Sequence, residues 1–255
     1  MSQLSADRLL EYTRRFKKTL YSEIAAHSFF GPGESILDIG CRHGEDIQQV
    51  LDSGFKGKVV GVDIDGEVLR RASVKFKGAN NVEILRANAI ELPFKDDSFD
   101  LVYSSEVIEH IEDVGSFLRE VGRVLKKGGV LIVTTPSRYN YITAIGNLVP
   151  APCKKRLRRL VYHIAPGDEN VDPHVREYTY KELRRIFENN KFAVRSIKGG
   201  TLRVPFWSLF SKFSRLLSMW EKLDGLLDKF SWGIHLKANF VITAVNTGEK
   251  GCETV

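Results

Sequence analysis

Cysteine is scarce in this chain: Cys41, Cys153 and Cys252 are the only thiols in 255 residues, scattered without paired or metal-like spacing. That excludes a disulfide scaffold and favours a reducing compartment. Long hydrophobic runs are missing too, since no stretch approaches the roughly 18 apolar residues of a membrane-spanning helix. The polar start from Met1 to Arg8 does not read as a secretory signal, so the expected location is cytoplasmic. What is present is apolar bulk and mild basicity. With 43% apolar residues the chain can bury one sizeable α/β core with elaborations. A net charge of +6 tolerates an anionic partner without demanding one.

A missing glycine is equally informative. Ile36 to Ile39 is short, apolar and β-prone, and Gly40 to Gly44 then suits a tight turn beneath a ligand into a helix. A dinucleotide fingerprint wants Gly-x-Gly-x-x-Gly, whose middle glycine admits a pyrophosphate. Here the spacing is Gly40-x-x-x-Gly44 with Arg42 in the middle, and Asp38 sets a carboxylate where a phosphate would be repelled. A ligand carrying an amino group would be welcome instead. Asp63, ending the apolar run Val59 to Val62, stands where open α/β sheets place an acid against ribose hydroxyls.

Five ordered motifs between residues 30 and 136 carry a resemblance. They are Leu37-Asp38-Ile39-Gly40-Cys41-x-x-Gly44, Gly61-Val62-Asp63-Ile64-Asp65, Arg86-Ala87-Asn88-Ala89 through Leu92-Pro93-Phe94, Asp97 to Val102, and Leu125 to Leu131. With them the chain resembles a class I S-adenosylmethionine-dependent methyltransferase. The resemblance implies S-adenosylmethionine as cofactor, with Asp38 and Gly40 near the methionyl group, Asp63 on the ribose, and Asn88 with Ala89 at the adenine. Cys41, Gly44, Ile64 and Glu106 complete the implied cofactor set. Two positions depart from the family pattern: Arg42 replaces the usual second glycine, and Asn88 stands where aspartate is frequent.

Strands at 35–39, 58–63, 82–86 and 99–104 alternate with helices at 44–53 and 66–76 and a short helix near 88–91. Such alternation signals a parallel sheet wrapped by helices. Helical spacing from Val114 to Leu125 behind Asp113 predicts a further helix closed by Lys126-Lys127-Gly128, then a strand at 130–135. A helix at 179–190 and strands at 192–198 and 238–245 follow, and residues 5–29 supply one or two helices ahead of the sheet. The expectation is one α/β domain, a Rossmann-like, seven-stranded, mostly parallel sheet flanked by helices, with helical insertions at its carboxyl edge. Those insertions, 137–178 and 200–236, are far longer than ordinary connections and are the natural source of an acceptor lid.

The second insertion has an apolar stripe at helical spacing after Pro205, from Phe206 through Leu223 and Leu227 to Phe230, opposite mixed charges. It reads as a helix packed on the core, with a wall for an apolar acceptor or a peripheral membrane or partner surface as alternatives. The first insertion holds Lys154-Lys155-Arg156-Leu157-Arg158-Arg159. A solvated helix face is the favoured reading of this run, and contact with nucleic acid is the less favoured one.

Methyl transfer is an in-line displacement from a sulfonium, so a protein of this kind aligns the acceptor and excludes water. A hydroxyl acceptor also needs a base, and His110 and His174 have the side chains that titrate nearest neutrality. Glu106-Val107-Ile108-Glu109-His110 is similar to a metal-binding segment of some RNA and ubiquinone-pathway O-methyltransferases. The favoured reading assigns no metal here. The expected function is methylation of a small or lipophilic acceptor on oxygen or carbon; an RNA methyltransferase and a non-catalytic cofactor-binding regulator are the alternatives.

Overall fold

The computed structural model describes residues 15–27, 33–138, 176–201 and 214–248. Seven strands form one sheet in the order β3-β2-β1-β4-β5-β7-β6. They are β1 (Ser35–Ile39), β2 (Lys58–Asp63), β3 (Val82–Arg86), β4 (Phe99–Ser105), β5 (Leu125–Pro136), β6 (Phe192–Gly199) and β7 (Asn239–Asn246). The first five run parallel, and β7 lies antiparallel between β5 and β6. The helices are α1 (Arg15–His27), α2 (Glu45–Asp52), α3 (Gly66–Lys75), α4 (Val114–Val124), α5 (Tyr180–Asn189) and α6 (Ser214–Leu227).

Both faces of the sheet are covered, which is why its strands read as continuous apolar runs. Successive residues of β1 point to opposite faces. Leu37 and Ile39 join Val60, Val62 and Val102 under α4 and α5, where Phe117, Leu118, Val121, Leu183 and Phe187 are buried. Ile36 instead meets Val59, Leu101 and Tyr103 under Leu20 and Ile24 of α1 and Ile47 and Val50 of α2. Local chemistry starts the helices at the expected places. Asp113 accepts from Ser116 N at 2.9 Å to begin α4. Thr179 and Glu182 form a reciprocal capping box on α5.

The structure corrects three local expectations. Residues 88–91 form a turn rather than a short helix, because Asn88 Oδ1 accepts from Ile90 N and the Asn88 carbonyl from Glu91 N. Helix α4 stops at Val124, and β5 starts at Leu125 rather than 130: Leu125 pairs with Phe99 before the register shifts to Leu101 with Val130. Lys126-Lys127-Gly128 therefore lies within the strand, where Gly128 takes φ +79 at the irregularity. No helix among the described residues is long and apolar enough to cross a membrane.

Candidate functional site

The strand order reverses between β1 and β4, and ligands of open α/β sheets sit in the crevice beyond the carboxyl ends at that point. There the loops after β1 and β4 come close because Gly40 carries no side chain. A Cβ on Gly40, at φ +81, would lie 2.3 Å from Val107 Cγ2 in the loop after β4. Gly44 begins α2 in the same left-handed region, with Phe76 where its Cβ would go. Arg42 between them is also left-handed, at φ 47, a conformation that costs a non-glycine residue about 1–2 kcal/mol. The family's glycine at this place therefore has a backbone reason. The Arg42 side chain is exposed, and the backbone N–H of Arg42 donates to Asp63 Oδ2 at 3.0 Å.

Asp63 ends β2 beside this loop. Its other oxygen accepts from Asp65 N at 3.0 Å, so two backbone amides fix the carboxylate while each oxygen keeps an acceptor site. Ile64, next to it, is 62% exposed, and Ile90 in the 88–91 turn is 41% exposed. Asn88 is exposed and Ala89 half-buried in that same turn. Two apolar side chains thus stand uncovered beside a carboxylate at the strand ends.

Asp38 is the opposite case. It is buried in β1, and its Oδ2 has no hydrogen-bond partner among the described residues. Burial pushes its carboxyl well above the usual carboxylate range, and the Asp46 carboxylate adds to the rise; Tyr103 and Lys17 act the other way. Burial also pushes the Cys41 thiol up, with Asp38 contributing, so the thiol stays protonated and inert.

Sequence patterns gave no sign of the polar chain that runs along the carboxyl edge. Lys17 Nζ of α1 lies 2.5 Å from Asp46 Oδ2 in the first turn of α2 and 2.8 Å from Ser105 Oγ at the end of β4. Tyr21 donates to the other Asp46 oxygen at 2.6 Å. Ser105 Oγ is 3.0 Å from Thr134 Oγ1, which donates to Glu106 Oε1, and Asn239 Nδ2 reaches both Glu106 oxygens at 3.2 and 3.3 Å. Helix α1, β4, β5 and β7 are joined in this way across the crevice. Of its members, Asp46 has a local signal as an acid in the first turn of a helix, and Glu106 is implied by the family resemblance.

Beyond Glu106, itself at φ 58, the chain makes a single 3-10 turn over Ile108–His110. Glu109 is buried; Thr135 Oγ1 donates to Oε2 at 3.1 Å, and Oε1 has no partner among the described residues. Burial, reinforced by the Glu106 carboxylate, pushes the Glu109 pKa up to about 8. His110 is half-buried at the end of this turn. The chain returns here: Arg176 N donates to the Glu109 carbonyl at 3.1 Å, and the Tyr178 hydroxyl approaches the Ile108 carbonyl at 3.5 Å. His174 and the basic run 154–159 lie outside the described residues. Among the described residues no His, Cys, Asp and Glu cluster is arranged to hold a metal.

Gly40 and Gly44, the strand-end acid Asp63 and the exposed Ile64 and Ile90 thus lie at the carboxyl ends of a Rossmann-like sheet. Residues 37–133 match a family model described as a methyltransferase domain. A relative from Mycolicibacterium smegmatis, named a probable S-adenosylmethionine-dependent methyltransferase, is 30% identical over 169 residues, 66% of this chain and 55% of that protein. Demethylmenaquinone methyltransferase of Listeria welshimeri is 37% identical over 111 residues, 42% of this chain and 47% of that one. The solved geranyl diphosphate methyltransferase in complex with S-adenosylmethionine has the same fold, with a TM-score of 0.61 at 16% identity over 95% of this chain and 90% of that one. The chain spans about half the length of the curated relatives it matches. Residues 37–133 thus carry a methyltransferase domain similar to those of proteins named S-adenosylmethionine-dependent methyltransferases.

Proposed function

We propose that the chain, read as one methyltransferase domain, transfers a methyl group from S-adenosylmethionine to a small or lipophilic acceptor, on oxygen or carbon. The observation that carries this reading is the crevice itself: Gly40 lets the loop after β1 meet Val107, with the backbone-fixed Asp63 carboxylate at its rim. In the proposed complex the free acceptor sites of Asp63 take the ribose hydroxyls. Ile64 and Ile90 cover the faces of the adenine, which explains why they stand exposed. Asn88 Oδ1, already accepting from Ile90 N, keeps one acceptor site for the adenine amino group, and Ala89 lines the same edge. Asp38, Gly40, Cys41 and Gly44 surround the methionyl end, where the unpartnered Asp38 Oδ2 suits its amino group.

Bound there, the cofactor supplies an electrophilic methyl on a sulfonium. The chain's part is alignment and exclusion of water. Glu106, held by Thr134 and Asn239, lines the pocket between donor and acceptor. His110, on the turn after it, is the base for a hydroxyl acceptor, with His174 as the other candidate. The names of two similar proteins, built on menaquinone and geranyl groups, support an apolar acceptor.

Calorimetric titration tests the donor: S-adenosylmethionine and S-adenosylhomocysteine are expected to bind and NAD not to, and preference for NAD would sink the reading. Labelled cofactor with fractionated cell extract tests the transfer. Label is expected in the organic phase; label in RNA would replace the acceptor class, and tight binding without any transfer would make the chain a regulator.

A further inference from the structure

Helix α6 turns its apolar residues two ways. Leu227 is buried and Leu216 and Trp220 are half-buried. Met219, Leu223 and Leu226 are 67%, 42% and 49% exposed, and Phe230, just beyond the helix, is 46% exposed. At 100° per residue the three helical side chains fall within an arc of about 60°. Scattered exposed apolar residues are ordinary, but a contiguous row of four marks an interaction surface.

The charges around this row are sorted rather than mixed. Arg215 and Lys222 border the arc on one side and Lys229 follows past the last turn, all exposed and none in an ion pair among the described residues. The acids point elsewhere. Asp224 is buried, and Lys237 Nζ binds both it and Asp228, at 2.6 and 2.7 Å. Glu221 lies on that same far side of the helix and is half-buried. The sequence of α6 and its end looks charge-balanced, yet among the described residues the exposed apolar face is bordered by cations, because Lys237 pairs with Asp224 and Asp228 on the other side of the helix.

We propose that α6 is a membrane-interface helix that seats Met219, Leu223, Leu226 and Phe230 in an anionic bilayer, with Arg215, Lys222 and Lys229 at the headgroups. An apolar face with a basic edge is the pattern by which helices lie in the plane of such a surface. The helix belongs to the connection from β6 to β7, which leaves and re-enters the sheet at its carboxyl edge, the edge that holds the crevice. The inference goes beyond the proposed methyl transfer, and its test needs neither cofactor nor acceptor.

The test is flotation of the whole chain with vesicles of phosphatidylcholine alone or mixed with phosphatidylglycerol. The wild type is expected to float with the mixed vesicles, less as salt rises, and weakly with phosphatidylcholine alone. Arg215→Glu with Lys222→Glu and Lys229→Glu is expected to lose on the order of a hundredfold in vesicle affinity. Leu223→Ser with Leu226→Ser is expected to lose flotation as well, while both variants keep the wild-type circular dichroism and unfolding midpoint, since every altered side chain is exposed. A wild type that stays unbound, or variants that float as well as it does, would overturn the proposal. So would a dimer in light scattering that the serine variant dissociates, because a second copy would then cover the face.

Discussion

The two halves of the sheet are held by different kinds of contact. Around β1 and β2 the decisive geometry is local and made by backbone: Gly40, Arg42 and Gly44 are left-handed within five residues, and Asp63 is fixed by two amides. Around β5, β7 and β6 it is made by side chains distant in sequence. Asn239 reaches Glu106, Thr135 reaches Glu109, and Thr243 and Lys198 both reach the buried Glu23, whose carboxyl they hold below its usual range despite burial. A backbone-built site presents a fixed shape to a ligand common to many proteins. A site built from side chains can change with its acceptor while the fold stays the same.

Four substitutions probe that contrast. Gly40→Val, in the loop after β1, places side-chain atoms against Val107 in a left-handed residue; it is expected to cost about 3 kcal/mol or more in denaturant unfolding. A cost below about 1 kcal/mol would show that the rims of the crevice do not need to touch. Glu109→Gln probes the other half through pH. The folded Glu109 carboxyl holds its proton up to about pH 8, far above its unfolded value, so the stability it contributes is complete at pH 4 and lost as pH rises through 8. Glutamine stays neutral, so the variant is expected to gain on the wild type by about 4 kcal/mol between pH 5 and pH 9, read from paired unfolding curves. Parallel pH profiles would mean that Glu109 is ionised throughout.

Asp63→Ala is expected to weaken S-adenosylhomocysteine binding by about 1–3 kcal/mol in calorimetry, the loss of hydrogen bonds to a charged acceptor. Unchanged affinity would remove Asp63 from the ribose role. The smallest effect is expected from Arg42→Gly, which relieves a left-handed non-glycine residue and is expected to stabilise the chain by about 1 kcal/mol in thermal or denaturant unfolding. Destabilisation would show that the exposed arginine side chain makes contacts that outweigh the strain.

The same contrast explains what could be read in advance. The strands β1 to β3 and the helices α2, α3 and α5 lie within a residue or two of their expected bounds, because period and capping are properties of neighbouring residues. The 88–91 turn was misread as a helix because one side chain, Asn88, bonds forward to Ile90 and diverts the backbone. The early start of β5 was hidden because Leu125 is recruited by Phe99, a partner 26 residues earlier. The roles of Lys17 and Tyr21 are hidden for the same reason: their partner Asp46 is 29 and 25 residues away. Of the apolar stripe after Pro205, the part from Phe206 to Phe213 lies outside the described residues; Leu227 packs inward as expected, Leu216 and Trp220 are half-buried, and Leu223 and Phe230 are exposed, since burial depends on what the other elements leave uncovered.

By itself the sequence determined the α/β alternation, the glycine turn after β1 and the acid at the end of β2, each a consequence of residues within one turn or strand of each other. Only the tertiary structure decided that Asp38 is buried with an oxygen unpartnered among the described residues, that Glu109 holds a proton near neutrality, and that Asp224 of α6 is buried against Lys237 while Arg215, Lys222, Leu223 and Leu226 are exposed. Those properties are set by desolvation and by partners brought together from opposite ends of the chain, which no local pattern encodes.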